Sequence, residues 1–207
     1  MAKEAKKNGF EVFVACQDTG RSHEITNIGV KFINLPLSRS GTNPIKELGT
    51  IFNFYKLYKK IKPDIVHHIT LKPVIYGSLT SRLLRVKGVV NAVSGLGYNF
   101  TSDRKGLVQK IMLRLLRIGF NRRNISVIFQ NEDDKKVFQA LKIISSINNI
   151  VKIKGSGVDL IKYPFTKLPS FEVIKILFPT RMLWDKGVKE MRIASAILRE
   201  KYEDRIQ

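Results

Sequence analysis

Two basic residues near the carboxyl end of the chain have the types and spacing that bind phosphate. The segment "FPTRMLWDKGVKE" at 178–190 predicts that a strand delivers Arg181 to its end, while Lys186 and Gly187 open the next helix. A guanidinium can bind two phosphate oxygens at once, a lysine adds a point charge, and free amides at the helix start point to the same place. The predicted chemistry is stabilisation of a departing diphosphate.

Ordinary structural roles would also account for this segment. Arginine and lysine are common on protein surfaces, Asp185 has the residue type of a helix cap, and Trp184 has that of a core residue. Charge and spacing alone leave both interpretations open.

Three residues at the end of the third predicted strand or just after it have side chains that could bind a ligand. His67 and His68 close that strand, and their side chains alternate, so they point to opposite faces of the sheet. One of them could line a cleft; the alternative is one core imidazole and one surface imidazole. Lys72 could bind an anionic acceptor, or could equally be a solvated lysine.

Glycines and an asparagine follow two other predicted strands. Gly95 and Gly97 in "SGLGYNF" at 94–100 lack side chains, so the backbone could approach a ligand closely there; a plain turn is the alternative. Asn131 lies where a strand meets a helix, and could donate to a ligand or cap the helix.

A basic segment at 104–123, "RKGLVQKIMLRLLRIGFNRR", contains seven basic residues and no acidic one. Leu107, Val108, Ile111, Met112 and Leu115 recur at helical spacing, which predicts a cationic amphipathic helix with these residues packed inward. Its outward basic residues would meet anionic lipid or solvent; they are Lys110, Arg114 and Arg117.

The composition favours a basic globular protein that meets anions. The 207 residues are 43% hydrophobic and carry a formal charge of +20, so the surface attracts polyanions such as nucleic acid, anionic lipid or phosphorylated substrates. The single cysteine, Cys16, excludes an intramolecular disulfide and fits a reducing compartment. Neither a run of about 18 apolar residues nor a signal-peptide pattern occurs, so we expect a cytoplasmic location.

The elements that must position these residues alternate between short apolar runs and segments of helical period. This pattern is typical of a parallel sheet wrapped by helices, and thus of the α/β class. Six strands are predicted, at 10–15, 30–35, 64–69, 88–93, 125–130 and 149–154.

The pattern also predicts domain boundaries. "AKEAKK" at 2–7 has the sequence of a helix end with no strand before it, so we expect a first strand to be missing from domain 1–154. Residues 155–171 are rich in Gly, Pro and polar residues and predict a linker. "EVIKILFPT" at 172–180 predicts a fresh strand, which with the following helix would begin a second domain over 172–207.

Several segments, which follow one another along the chain in the family's order, resemble family 4 of the glycosyltransferases, and one subgroup in particular that elongates lipid-linked bacterial surface glycans. The match lies in "TRMLWDKGVKE" and in "IVHHITLKPVIYGSLTSR", "VNAVSGLGYNF", "VIFQNEDD" and "KGSGVDL". The resemblance implies a GT-B fold: an acceptor-side Rossmann-like domain with helices on both faces of its sheet, and a second Rossmann-like domain that binds the donor. It also implies a hinge beside the donor at Gly155, Gly157 and Asp159.

The resemblance further implies a retaining transfer from a nucleotide sugar, a UDP-sugar, to a polyprenyl-diphosphate-linked acceptor, without a bound metal. The matching Arg181 and Lys186 would hold the donor diphosphate, and the "TLKP" loop would border the acceptor cleft. The family's histidine for the transferred sugar is not found between Ala92 and Phe100, so that role has no candidate here.

Two other functions stay open from the sequence. The charge is compatible with nucleic-acid binding, although no helix-turn-helix, zinc-ligand or RNA-binding strand motif occurs, so we expect no nucleic-acid partner. A sugar-nucleotide epimerase would share the same cleft but needs no membrane, whereas the transferase is expected at the inner face of the cell membrane. The family's acidic donor motif does not occur in these residues, so we expect them to be inactive alone.

Overall fold

The chain forms two compact units, Met1–Gly155 and Ser156–Gln207. The computed structural model describes residues 1–37, 44–93, 106–155, 157–167, 173–180, 182 and 184–202. Arg181, Gly95 and Gly97 of the predicted sites lie outside these residues.

The first unit alternates strands and helices, as the sequence predicts, and all six predicted strands are confirmed. In chain order the elements are α1 (Ala2–Lys7), β1 (Phe13–Cys16), α2 (Ser22–Asn27), β2 (Lys31–Asn34), α3 (Pro44–Ile61), β3 (Ile65–Ile69), α4 (Leu71–Leu83), β4 (Gly88–Val93), α5 (Leu107–Phe120), β5 (Ile125–Phe129), α6 (Glu132–Ala140) and β6 (Asn149–Lys152).

All the paired strands are parallel, which confirms the predicted α/β class. They form two sheets, one of order β1-β2 and one of order β3-β4-β5-β6. No ladder hydrogen bonds join β1 to β3 within the described residues. The prediction of a further strand before α1 stays a prediction.

One face of the larger sheet forms the core. Alternate residues of β4 and β5 are buried on this face, where α4 packs on β3 and β4 while α3 and α5 pack on either side of α4. Phe120, Phe129 and Phe138 are fully buried and their rings contact one another. The opposite face of β3 is more open, because Ile65 and Ile69 are exposed.

The second unit contains one long helix in its described residues. A 3₁₀ turn, Trp184–Lys186, precedes α7 (Val188–Tyr202), and Gly187 between them has a φ of 77°. The fresh strand predicted at 172–180 is not formed over residues 173–180, where Ile174 makes only an isolated bridge. A β-strand needs a neighbour to satisfy its backbone groups, and sequence pattern cannot show whether a neighbour exists.

Gly77 lets α4 approach β3 closely enough to bury His68. A Cβ at Gly77 would lie 2.3 Å from the Nε2 atom of His68, whereas a Cβ at Gly49 in α3 would contact nothing. We expect Gly77→Ala to lower the free energy of unfolding by about 2–3 kcal/mol through overpacking, and Gly49→Ala to raise it by about 0.5–1 kcal/mol through helix propensity. Urea unfolding measures both; equal effects would contradict the packing account.

Candidate functional site

The carboxyl ends of the strands bring the predicted site residues of the first unit to one edge. Parallel strands end at the same side of a sheet, and α/β proteins bind ligands outside that side. Here β3 ends next to Lys72, and β5 ends next to Asn131. The turn after β3 is strained, because Thr70 has a φ of 71° and a ψ of 158°, a region that is essentially restricted to glycine.

His68 belongs to the core and not to a cleft. Its side chain is 3% exposed and makes two hydrogen bonds, from Nε2 to the Tyr58 hydroxyl at 2.6 Å and from Nδ1 to Asn91 Oδ1 at 2.7 Å. The Asn91 amide donates to Ser78 Oγ at 2.9 Å, which leaves Asn91 Oδ1 to accept. His68 is therefore the neutral Nδ1–H tautomer, and Nε2 accepts from Tyr58.

Burial determines the ionisation of this network. Burial lowers the pKa of His68 to about 4, against the smaller opposing effect of the hydrogen bond to Asn91. Burial also raises the pKa of Tyr58 well above its usual range. Both groups are thus neutral at physiological pH. The network therefore positions β3 and α4 and does not act as a general acid or base.

His67 lies at this edge on the face of β3 opposite to His68. Its side chain alternates with that of His68 and is half-buried on the opposite face of β3. Burial lowers its pKa, so the imidazole is mostly neutral near pH 7. Its Nε2 atom is screened from water and, within the described residues, has no hydrogen-bond partner.

Lys72 is held by an ion pair. Its Nζ lies 2.6 Å from Glu47 Oε1, with both side chains about one-fifth to one-quarter exposed. Tyr76 donates its hydroxyl to the other oxygen of Glu47, and burial, followed by this carboxylate, raises the pKa of Tyr76. Lys72 is thus not the solvated lysine of the alternative interpretation, and an anion reaching it would have to compete with Glu47.

Asn131 caps α6. Its Oδ1 accepts from the Asp134 backbone amide at 2.7 Å, and its Nδ2 donates to the Asp134 carboxylate at 3.0 Å. Both groups of the amide are therefore engaged within the helix start, which agrees with the capping interpretation.

The expected hinge residues have the backbone that the turn requires. Gly155 and Gly157 both have a φ of 76°, where a side chain is disfavoured. Asp159 accepts hydrogen bonds from the amides of Ile161 and Lys162 and so closes a local turn. These residues do shape the chain after β6, and the hinge function stays a prediction.

In the predicted diphosphate site, the structure describes Lys186 and Gly187. Lys186 is exposed at the end of the 3₁₀ turn. The backbone carbonyl of Gly187 accepts the first hydrogen bond of α7, from the backbone amide of Met191. Trp184 is 79% exposed, so the alternative of a core tryptophan does not hold within this unit.

The inward face of the basic helix includes only part of the predicted apolar stripe. Met112 and Leu115 pack against the core, but Leu107 and Ile111 are exposed. Leu116, Gly119 and Phe120 are buried instead. Gly119 decides this orientation, since a Cβ there would lie 3.0 Å from the Ser78 side chain of α4. The predicted membrane-facing residues Lys110, Arg114 and Arg117 are all exposed, although Arg117 also donates to the Leu141 carbonyl at 2.9 Å.

Sequence reasoning missed four members of the buried network and ion pair. Tyr58, Ser78, Glu47 and Tyr76 lie in helices where nothing in the local pattern distinguishes them. Asn91 did carry a signal, because it is a polar residue in the middle of the apolar strand "GVVNAV".

Comparison with known proteins assigns the family. Residues 1–132 match the family described as "Glycosyl transferase 4-like". The chain belongs to this family. The resemblance seen in the sequence is thereby confirmed at family level.

Two relatives in the family are transferases named for lipid-linked acceptors. The N,N'-diacetylbacillosaminyl-diphospho-undecaprenol alpha-1,3-N-acetylgalactosaminyltransferase of Campylobacter jejuni is 26% identical, over 96% of this chain and 56% of the relative. The UDP-Gal:alpha-D-GlcNAc-diphosphoundecaprenol alpha-1,3-galactosyltransferase of Escherichia coli is 27% identical, over 74% of this chain and 38% of the relative. The chain therefore spans about half, or less, of the length of these relatives.

A solved structure, the MurG of Acinetobacter baumannii, is similar with a TM-score of 0.39 and 14% identity, and the match covers 78% of this chain and 62% of that one. The family assignment rests on the sequence match alone.

We expect the stability of the first unit to fall with acidification because of His68. The unfolded chain protonates a histidine near pH 6.5, whereas the folded chain keeps His68 neutral until about pH 4. Between these values the unfolded state binds more protons, so the free energy of unfolding falls by roughly 3 kcal/mol as pH falls from 6.5 to 4. Urea unfolding across this range measures the slope. A His68→Gln variant with an unchanged slope would contradict this origin.

The cap at α6 gives a second test. We expect Asn131→Ala to lower the free energy of unfolding by about 1 kcal/mol, and Asn131→Ser to lower it by only a few tenths, because serine can accept the same amide hydrogen. Equal losses from both substitutions in urea unfolding would show that the side chain does not act as a cap.

Proposed function

We propose that the protein is a retaining glycosyltransferase that moves a sugar from a UDP-sugar to a polyprenyl-diphosphate-linked glycan. The reaction would serve the synthesis of a surface polysaccharide or glycoconjugate. The observation that carries this proposal is the family match, together with two relatives whose names both specify an undecaprenyl-diphosphate-linked acceptor. The name of the second relative also specifies a UDP-sugar donor.

In this proposal the protein has a two-domain GT-B arrangement. The first unit, Met1–Gly155, is the acceptor-side domain, and its carboxyl edge faces the acceptor. His67 is the histidine of that edge whose ring is not held in the core, and Gly95 and Gly97 remain candidates from the sequence. Lys72 contributes a positive charge that its ion pair with Glu47 partly neutralises.

The second unit contributes the donor site. Arg181 and Lys186 bind the diphosphate of the nucleotide, and the first amides of α7 point to the same oxygens. These cations stabilise the charge that develops on the departing nucleoside diphosphate as the sugar–oxygen bond breaks. Gly187 allows the sharp change from the 3₁₀ turn to α7, because its φ of 77° is disfavoured for other residues.

The protein acts, in this proposal, at the inner face of the bacterial cell membrane as a peripheral protein. A polyprenyl chain keeps the acceptor in the bilayer, so the enzyme must come to it. The exposed cations of α5, including Lys110 and Arg114, match the negative charge of the cytoplasmic leaflet. Neither relative is named as an epimerase or a nucleic-acid-binding protein.

The donor site can be tested in the full-length protein with labelled UDP-sugars and a polyprenyl-diphosphate-linked acceptor. We expect Lys186→Met to lower kcat/KM roughly 10- to 100-fold, because a charge-assisted contact with the diphosphate is lost. Lys201→Met, which removes an exposed lysine from the last turn of α7, is the matched control and should be close to the unaltered protein. Equal activity of the two variants would exclude Lys186 from the donor site, and no transfer from any UDP-sugar would overturn the donor class.

A further inference from the structure

The helix layer of the first unit exposes large apolar side chains beside cations on two separate helices. On α5 the exposed positions recur over one arc of the helix, and they combine Leu107, Ile111 and Ile118 with Lys110 and Arg114. The apolar members form one ridge of this arc and the basic members form the adjoining ridge, as the helical period of 3.6 residues places them. Acidic residues do not occur anywhere in α5.

The exposed face of α3 has the same character. Leu48 and Phe52 are exposed on its first half, at 66% and 54%, and Lys56, four residues after Phe52, places its ammonium 4.5 Å from the centre of the phenyl ring. Lys59 and Lys60 continue this face towards the end of the helix. The one acidic residue of α3, Glu47, is engaged with Lys72 and Tyr76 and does not offset this charge.

The two faces belong to the same helix layer, and both combine exposed apolar side chains with basic ones. α3 and α5 both pack on α4, which lies against β3 and β4, so all three helices cover one side of the sheet. Neighbouring helix axes are about 8–10 Å apart, which places α3 and α5 within roughly 20 Å of each other. Both helices begin near the carboxyl ends of the parallel strands, as connections between parallel strands require. Leu48, Phe52, Leu107 and Ile111 therefore lie towards the edge at which Lys72 and His67 are found.

We propose that these two faces form a single surface that docks on an anionic phospholipid bilayer, with the aliphatic and aromatic side chains inserted between the headgroups. We call it the docking face and define it by Leu48, Phe52 and Lys56 of α3 and by Leu107, Lys110, Ile111 and Arg114 of α5. The proposal deepens the proposed function, because docking at this edge presents a lipid-linked acceptor to the cleft without removing its chain from the bilayer. Within the described residues no helix is long and apolar enough to cross a bilayer.

The alternation of apolar and basic residues distinguishes lipid from other anionic partners. Cations alone would suit nucleic acid equally well, but aliphatic side chains at the same face gain nothing from a phosphate backbone. At a bilayer the apolar residues enter the acyl boundary while the neighbouring lysines and arginines contact the headgroups. Binding should thus have two components. Salt should weaken the contacts between the cations and the headgroups, but not the insertion of the apolar side chains.

The experiment is vesicle flotation of the chain with equal parts of phosphatidylglycerol and phosphatidylcholine, and with phosphatidylcholine alone. We expect binding to the anionic vesicles that is weakened but not abolished at high salt. The variant Leu107→Ser/Ile111→Ser should lose at least about tenfold in affinity, since two side chains no longer enter the apolar phase. The variant Lys110→Glu/Arg114→Glu should lose binding mainly at low salt.

Matched controls remove comparable groups from elsewhere on the first unit. Leu83→Ser removes an exposed leucine at the opposite end of α4, and Lys136→Glu reverses an exposed charge on α6; both should bind as the unaltered chain does. Far-ultraviolet circular dichroism and urea unfolding establish that every variant folds. A loss of binding in the controls equal to that in the test variants would overturn the docking face.

Other outcomes also overturn the proposal. Absence of vesicle binding would do so, as would binding that high salt abolishes entirely and that Leu107→Ser/Ile111→Ser leaves unchanged. Duplex DNA that displaces the chain from vesicles, with the aliphatic variants binding DNA normally, would identify nucleic acid as the partner. Self-association in light scattering that disappears in Leu107→Ser/Ile111→Ser, without vesicle binding, would identify a second copy of the chain.

The failure of the docking face is distinguishable from the failure of the proposed function. Vesicle binding requires no sugar transfer, so a chain that floats as expected while the full-length protein transfers no sugar would overturn the proposed function alone. A full-length protein that transfers sugar to a short-chain, water-soluble acceptor but does not bind vesicles would overturn the docking face alone.

Discussion

The burial of one neutral imidazole holds the first unit together at the edge where a ligand would bind. His68 connects α3 through Tyr58 and β4 through Asn91, while Gly77 of α4 leaves the space that the ring occupies. A charged or unpaired imidazole would be costly at this depth, so the ring's two hydrogen bonds and the missing side chain at Gly77 are needed together. The direction of β3 and the start of α4 follow from this arrangement.

That constraint separates the two histidines by function. Because side chains alternate along a strand, fixing His68 in the core places His67 on the other face of β3, half-buried and with Nε2 unpartnered among the described residues. The adjacent strained turn at Thr70 leads directly into α4 and its ion pair between Lys72 and Glu47. Rigid packing below the edge and an unusual backbone at the edge are features that cluster at functional sites.

The packing of the helix layer also determines which side chains remain outside. α5 approaches α4 closely at Gly119, so the helix turns Leu116 and Phe120 inward and leaves Leu107 and Ile111 exposed. The proposed docking on a bilayer depends on these exposed apolar residues. The basic residues beside them fit the same proposed partner.

The sequence by itself determined the α/β class, the positions of six strands and the family, because apolar periodicity and short motifs are local properties of the chain. It also indicated the Asn131 cap as one of two interpretations. Only the tertiary structure decided that His68 is core, that Lys72 is paired with Glu47 and that Leu107 and Ile111 face outward. Each of these depends on contacts between residues far apart in the chain. The element packed against a helix decides which part of a broad apolar arc faces inward. It also supplies the hydrogen-bond partner of a buried polar group.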